Sequence, residues 1–174
     1  MIVKVVIPDS IYAEVYFARG AQGPQGPQGL PGDATGLVDT AYTIVGGTSG
    51  TQPTFSGSPL FSGSYTKLGA QVHFQIQVDM DNITSFGTGQ YYMDLPFTSK
   101  YGYQFSSGCL HDISTGVEYP IFGHVYAGEK RMYLQTLDNQ GNRTFQVNFT
   151  GTDPVTLTTA DNFHVSGTYI TSEV

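Results

Sequence analysis

The side chains able to do chemistry are few and scattered. His73, His111, His124 and His164 stand singly, with no His-x-x-x-His or His-Glu pair at metal-ligand spacing. A three-fold axis would gather three copies of one His or Asp, but no second ligand type accompanies any of them, so no metal or other cofactor is expected. Asp79-Met80-Asp81-Asn82 lacks the glycine and the distant glutamate of a calcium loop and reads as a turn. Glycoside cleavage needs two carboxyl groups about 5 to 9 Å apart in a cleft. Asp94, Asp112, Glu118 and Asp138 are available for it, but sequence does not pair them. Cys109 is the single cysteine, so no intrachain disulfide forms, and its expected place is the apolar core. Without a catalytic constellation the chain is expected not to be an enzyme. Binding is better supplied. The 12 tyrosines include Tyr91, Tyr92, Tyr101, Tyr103, Tyr119, Tyr126 and Tyr133, and with Ser, Gly and Asn they offer adaptable recognition and stacking on sugars. Core or interface burial is nevertheless the commoner fate of any one ring. No ligand pocket follows from the sequence.

The elements that must position these residues are strands. Twenty-two glycines, abundant Tyr, Phe, Thr, Ser and Val, and only 12% charged residues describe an all-β chain with tight turns. No window sustains an i, i+3, i+4 apolar pattern, whereas alternation at period two recurs from Gln71 onward. The clearest case is residues 71–78, QVHFQIQV, apolar on one face and Gln or His on the other. Further strands are expected over residues 42–45, 65–68, 91–95, 103–110, 117–125, 131–137, 143–149, 155–157 and 163–170. Gly- and Asn-rich turns fall between them. Residues 40–174 therefore read as one antiparallel β-sandwich head of the jelly-roll kind.

Ahead of it, residues 20–34 read GAQ GPQ GPQ GLP GDA. Gly20, Gly23, Gly26, Gly29 and Gly32 hold strict register, with Pro24, Pro27 and Pro31 between them. Three polyproline-II-like strands wind together only if every third residue lacks a side chain, because the shared axis has no room for a Cβ. The segment is therefore expected to be a collagen-like triple helix, and the protein a homotrimer. At about 3 Å per residue its length is about 45 Å, a spacer rather than a rope. Ordering costs about 1 to 2 kcal/mol per residue, so so short a rod needs a trimerising neighbour. The register ends at Thr35, and residues 35–39 form a linker.

Residues 1–19 are too short to own a core but rich in β-branched residues. Val3, Val5 and Ile7 belong to one run and Ile11, Val15 and Phe17 to a second, separated by Pro8-Asp9-Ser10. Two short strands alone are barely stable. They are expected to be a docking anchor on a larger assembly, or else a small trimeric knot that seeds the rod. Neither a secretion signal nor a membrane span is legible in the sequence, which suggests assembly inside a cell. The net charge of −7 per chain disfavours nucleic acid as a partner.

A Gly-Pro-Gln run leading directly into a β-sandwich resembles the fibre and decoration proteins of tailed bacteriophages. Their heads are related in shape to the complement globular head and the tumour-necrosis-factor jelly roll. Residues 65–74, YTKLGAQVHF, followed by Gly87-Thr88-Gly89 and Leu95-Pro96-Phe97, are similar to a pattern of such heads. In it a Y-x-K-hydrophobic-G turn enters a long strand and a G-x-G…LPF corner leaves the next. Beyond Tyr101 nothing specific matches. The resemblance implies a virion component, trimeric, its amino terminus on the particle through a capsid or tail protein and its head outward. A fibre or spike for host-surface adhesion, through a glycan or a protein, is the leading expectation. A capsid decoration or head fibre is the alternative, and a cellular collagen-like surface protein a third. One outcome is fixed by the stalk. Gly26→Ala should lower the melting temperature of the triple-helical circular dichroism signal, while sedimentation still reports a trimer. Monomers on that change would mean that the rod alone holds the chains.

Overall fold

The computed structural model describes residues 2–6, 12–16, 38–140 and 143–173, and is helix-free among them. The chain divides into two units, Met1–Asp33 and Ala34–Val174. In the first, β1 (Ile2–Val6) pairs antiparallel with β2 (Tyr12–Tyr16), which puts Val3 opposite Val15 and Val5 opposite Ala13. The two dense β-branched runs thus pair with each other within one chain. The expectations for Ile7, Ile11 and Phe17, and for the triple-helical glycines Gly20, Gly23, Gly26, Gly29 and Gly32, lie outside the described residues.

The second unit holds twelve strands. Nine form a continuous antiparallel path. It runs from β3 (Thr40–Ala41) through β6 (Leu60–Leu68), β7 (Gln71–Asp79), β14 (Asn162–Ile170), β10 (Gln104–Asp112), β11 (Val117–Val125), β12 (Arg131–Gln140) and β9 (Tyr91–Asp94) to β4 (Gly46–Thr48). β13 (Arg143–Asn148) adds to β12, and β5 (Thr54–Phe55) pairs with β8 (Ile83–Ser85) apart from the main sheet. The expected alternation holds along β7, where Val72, Phe74, Ile76 and Val78 are buried and Gln71, His73, Gln75 and Gln77 are exposed. The inward residues of β9, β10, β11, β12 and β14 join them in one cluster, which closes on Phe149 and Phe163 with ring centroids 5.6 Å apart. An antiparallel sheet curled about one such core is compatible with a β-sandwich.

Small residues cluster in the middle of the sheet. Ser106, Gly108, Gly123 and Gly167 put almost no side chain into the middle of β10, β11 and β14. The neighbouring long side chains fill that space, Met132 over Gly123 and Phe74 over Gly167. The Ser106 hydroxyl donates to the Met132 sulfur at 3.0 Å. The two halves of the sequence pattern quoted above also meet: Tyr65 packs edge-on against Phe97 at 5.0 Å, and the Lys67 ammonium lies 4.6 Å from the same ring.

Three expectations are corrected. Residues 42–45 are not a strand, because their hydrogen bonds change partner. Tyr42 N–H donates to Gly63 on β6 and the Val45 carbonyl accepts from Asp94 on β9, so the segment crosses between the two ends of the sheet. Residues 155–157 form a loop, closed by a 2.9 Å bond from Leu157 N–H to the Gly151 carbonyl, with the Leu157 side chain buried. Cys109 is half-buried rather than in the core, since its neighbour Leu110 takes the inward position on β10. Gly108 gives a direct test of the close packing. A Cβ there would collide with the His164 carbonyl oxygen of β14. Gly108→Ala should therefore lower unfolding free energy in urea by about 1 to 3 kcal/mol. An unchanged midpoint would mean that the two strands can separate freely.

Candidate functional site

On the outward face of β11 and β12 the parity that buries Val125, Met132 and Leu134 leaves His124, Tyr133 and Gln135 facing away from the core. His124 and Tyr133 are register partners, and their rings stack at 5.8 Å and 27°. The chain then turns at residues 126–130. Gly128 adopts φ 79°, the Glu129 N–H donates to the Tyr126 carbonyl at 3.1 Å, and the Gly128 N–H donates to the Ser99 carbonyl at 2.8 Å. That turn stands the Tyr126 ring at 90° to His124 and 5.3 Å away, and 5.8 Å from Tyr133. Tyr103, from the loop before β10, closes the group at 6.3 Å from Tyr126. Four rings and the amides of Gln90, Gln135, Gln146 and Asn148 line a cleft of about 540 Å³, within the roughly 300 to 1,000 Å³ of ordinary ligand sites.

The cleft is built at a cost. Tyr103 has φ 57°, the left-handed region that a non-glycine side chain resists. Neighbours hold it there. Its N–H donates to the Val125 carbonyl at 2.8 Å, and the Gln104 amide spans the loop, donating to the Tyr101 carbonyl at 2.8 Å and accepting from Ile170 N–H at 2.7 Å. The ring so placed is 72% exposed. His124 lies at the other extreme, nine-tenths buried, with an Nδ1 that has no partner among the described residues. Loss of solvent lowers its pKa below the usual 6.5, against a smaller opposing effect from a hydrogen bond with Gln135, so the ring is neutral at pH 7. The Gln146 side-chain amide donates to the Gln135 side-chain Oε1 at 2.6 Å, and the Gln90 amide donates to the Leu134 backbone carbonyl at 2.9 Å. Each amide carries two N–H donors and two acceptor lone pairs, so one such bond leaves capacity for a ligand.

The carboxylates do not join it. Asp94 lies 3.9 Å from the Arg131 guanidinium, which itself lies over the Tyr92 ring at 3.7 Å. Asp112 is buried and caps its own turn, accepting from the Ser114 and Thr115 hydroxyls at 2.6 and 2.7 Å. These bonds hold its pKa below the ordinary carboxylate value. Glu118 is exposed on β11. Among the described residues no three His, Cys, Asp or Glu side chains could hold a metal ion together. His73 lies on the exposed face of β7, 3.2 Å from the Thr168 hydroxyl, and His164 is exposed on β14. Of the tyrosines singled out from sequence, Tyr103, Tyr126 and Tyr133 come together here, Tyr91 is in the core, and Tyr119 packs against it. Sequence reasoning missed His124 and the four amides. The signal was the parity of His124 and Tyr126 on one side of a turn and of Tyr133 and Gln135 on the other.

The strain at Tyr103 is testable. Tyr103→Gly should leave stability to urea unchanged or raise it by up to about 1 kcal/mol, because glycine accepts this φ without penalty. A loss of more than that would show that the ring's contacts outweigh the strain. No protein-family model, characterised protein or solved structure matches this chain.

Proposed function

We propose that the chain is a trimeric structural protein of a phage virion, a short fibre or spike whose jelly-roll head adheres to the host surface. The observation that carries the adhesive role is the cleft. It brings three tyrosines and four amides together without a nucleophile, a carboxylate pair or a metal group among the described residues, which suits recognition and leaves no evident chemistry. The trimer rests on the five glycines of residues 20–34, whose spacing is the one a triple helix requires. The jelly-roll reading is supported by β14, the last strand, which inserts between β7 and β10, and by the return of β4 to pair with β9. Residues 1–19 would dock on a capsid or tail protein, with Val3, Val5 and Val15 in the paired strands. Three weakly binding heads on one stalk gain avidity beyond any one of them.

A second reading, a decoration or head fibre on the capsid shell, is favoured by the shortness of the glycine-registered segment. Gold-labelled antibody to the head, imaged on intact virions, separates the two. Label confined to the tail is the outcome expected of a host-binding fibre. Label spread over the shell would assign the decoration role and make residues 1–19 a capsid anchor. Particles without label would overturn both.

A further inference from the structure

The cleft has a chemical character more specific than adhesion. Among the described residues none of the lining carries a formal charge at pH 7, in a chain whose net charge is −7. The adjoining rim is balanced, with Asp94 and Glu129 against Lys130 and Arg131. An anionic ligand finds no unspent cation in the lining, and a cationic one no carboxylate. The two central strands of the cleft, β11 and β12, are paired on both sides, so an extended peptide could add only at the outer edge of β13 and not across the rings. What the lining offers is apolar ring surface beside groups that both donate and accept hydrogen bonds. A pyranose presents the complement, a face of C–H groups and a rim of hydroxyls that also donate and accept.

We infer that this cleft binds an uncharged carbohydrate, with the C–H face of one sugar ring against Tyr126 and the hydroxyls of that unit met by the Gln146 and Asn148 amides. Two observations point to a ligand independently of the lining. Tyr103 is held in a disfavoured backbone conformation with its ring 72% exposed, and strain of this kind persists where the surroundings impose it, often at binding sites. The floor residue His124 is nine-tenths buried, with an Nδ1 that has no partner among the described residues, the kind of buried polar atom that a water bridging to a ligand completes. The inference rests on the reading of the head as adhesive and adds what it adheres to.

The test uses the full-length chain, fluorescently labelled, on a printed array of neutral and acidic oligosaccharides. A parallel assay measures binding to the bacteria on which the virion grows, before and after periodate oxidation of their surface sugars. Binding to neutral glycans is expected, with Tyr126→Ala about tenfold weaker for loss of the stacking ring and Tyr126→Phe retaining most of it. Tyr126 is 45% exposed, so neither change should unfold the head. Tyr101→Ala, an exposed ring outside the cleft, should change nothing. A silent array, binding to acidic glycans only, or an unaffected Tyr126→Ala would overturn the inference. So would a Tyr126→Ala chain that no longer forms trimers, since the cleft would then be a subunit contact. Cell binding that survives periodate would overturn the carbohydrate while leaving the adhesive reading intact. No binding to cells at all would remove the adhesive reading itself.

Discussion

The second unit depends on the small residues Ser106, Gly108, Gly123 and Gly167, which leave room for a neighbouring strand at Gly108 and for long side chains at the others. Interior packing in proteins is near that of organic crystals, so missing side chains in the middle of a sheet must be matched by long ones from elsewhere. Here Phe74 and Met132 supply them from the adjoining strands, β7 beside β14 and β12 beside β11. Glycine in a strand ordinarily weakens it. That loss is offset by a core in which Val72, Ile76, Leu110, Ile121, Leu134 and Phe163 are almost wholly removed from water. Each such side chain contributes about 1.5 to 3 kcal/mol when fully buried, more than a strand glycine loses.

The same parity that fills the inside decides what the outside can do. Strands β11 and β12 bury Val125, Met132 and Leu134, and so must present His124, Tyr133 and Gln135 on the other face. The turn at Gly128 and the strained Tyr103 then raise two more rings beside them. The result is a surface whose rings are set by neighbouring backbone rather than by their own flexible contacts, and rigid aromatic groups lose little entropy on binding. Buried Asp112 shows the opposite use of a polar residue. Its oxygens are consumed by its own turn, which removes it from any chemistry.

Avidity ties the proposed stalk to the proposed site. A cleft of uncharged groups binds a sugar unit weakly, because each hydrogen bond gained replaces one with water. Three such clefts on one stalk act together when a surface repeats the ligand, and that is the arrangement a triple-helical segment would enforce. A stalk of about 45 Å is long enough to hold a head clear of a particle surface and too short to let the heads act separately.

The all-β class and most strand positions were legible in the sequence because each is a local or periodic property. The alternation of residues 71–78 names the buried face of β7 residue by residue, and the glycine register of residues 20–34 is what the proposed stalk rests on. The crossing segment 42–45 was misread as a strand because a hydrogen-bond ladder requires a continuous partner, and partners are set by long-range pairing. Cys109 was misplaced for a related reason: a one-residue difference in parity decides which face of β10 is inward. The cleft was not legible at all. Gln90, Tyr103, His124, Tyr133 and Asn148 come from five segments, and only the order in which the strands pair, together with the φ of Tyr103, brings them to one place. The sequence by itself determined the all-β class and the alternation that turns Val72, Phe74, Ile76 and Val78 of β7 inward. Tertiary structure alone decided which outward residues meet, because that depends on contacts between segments far apart in the chain.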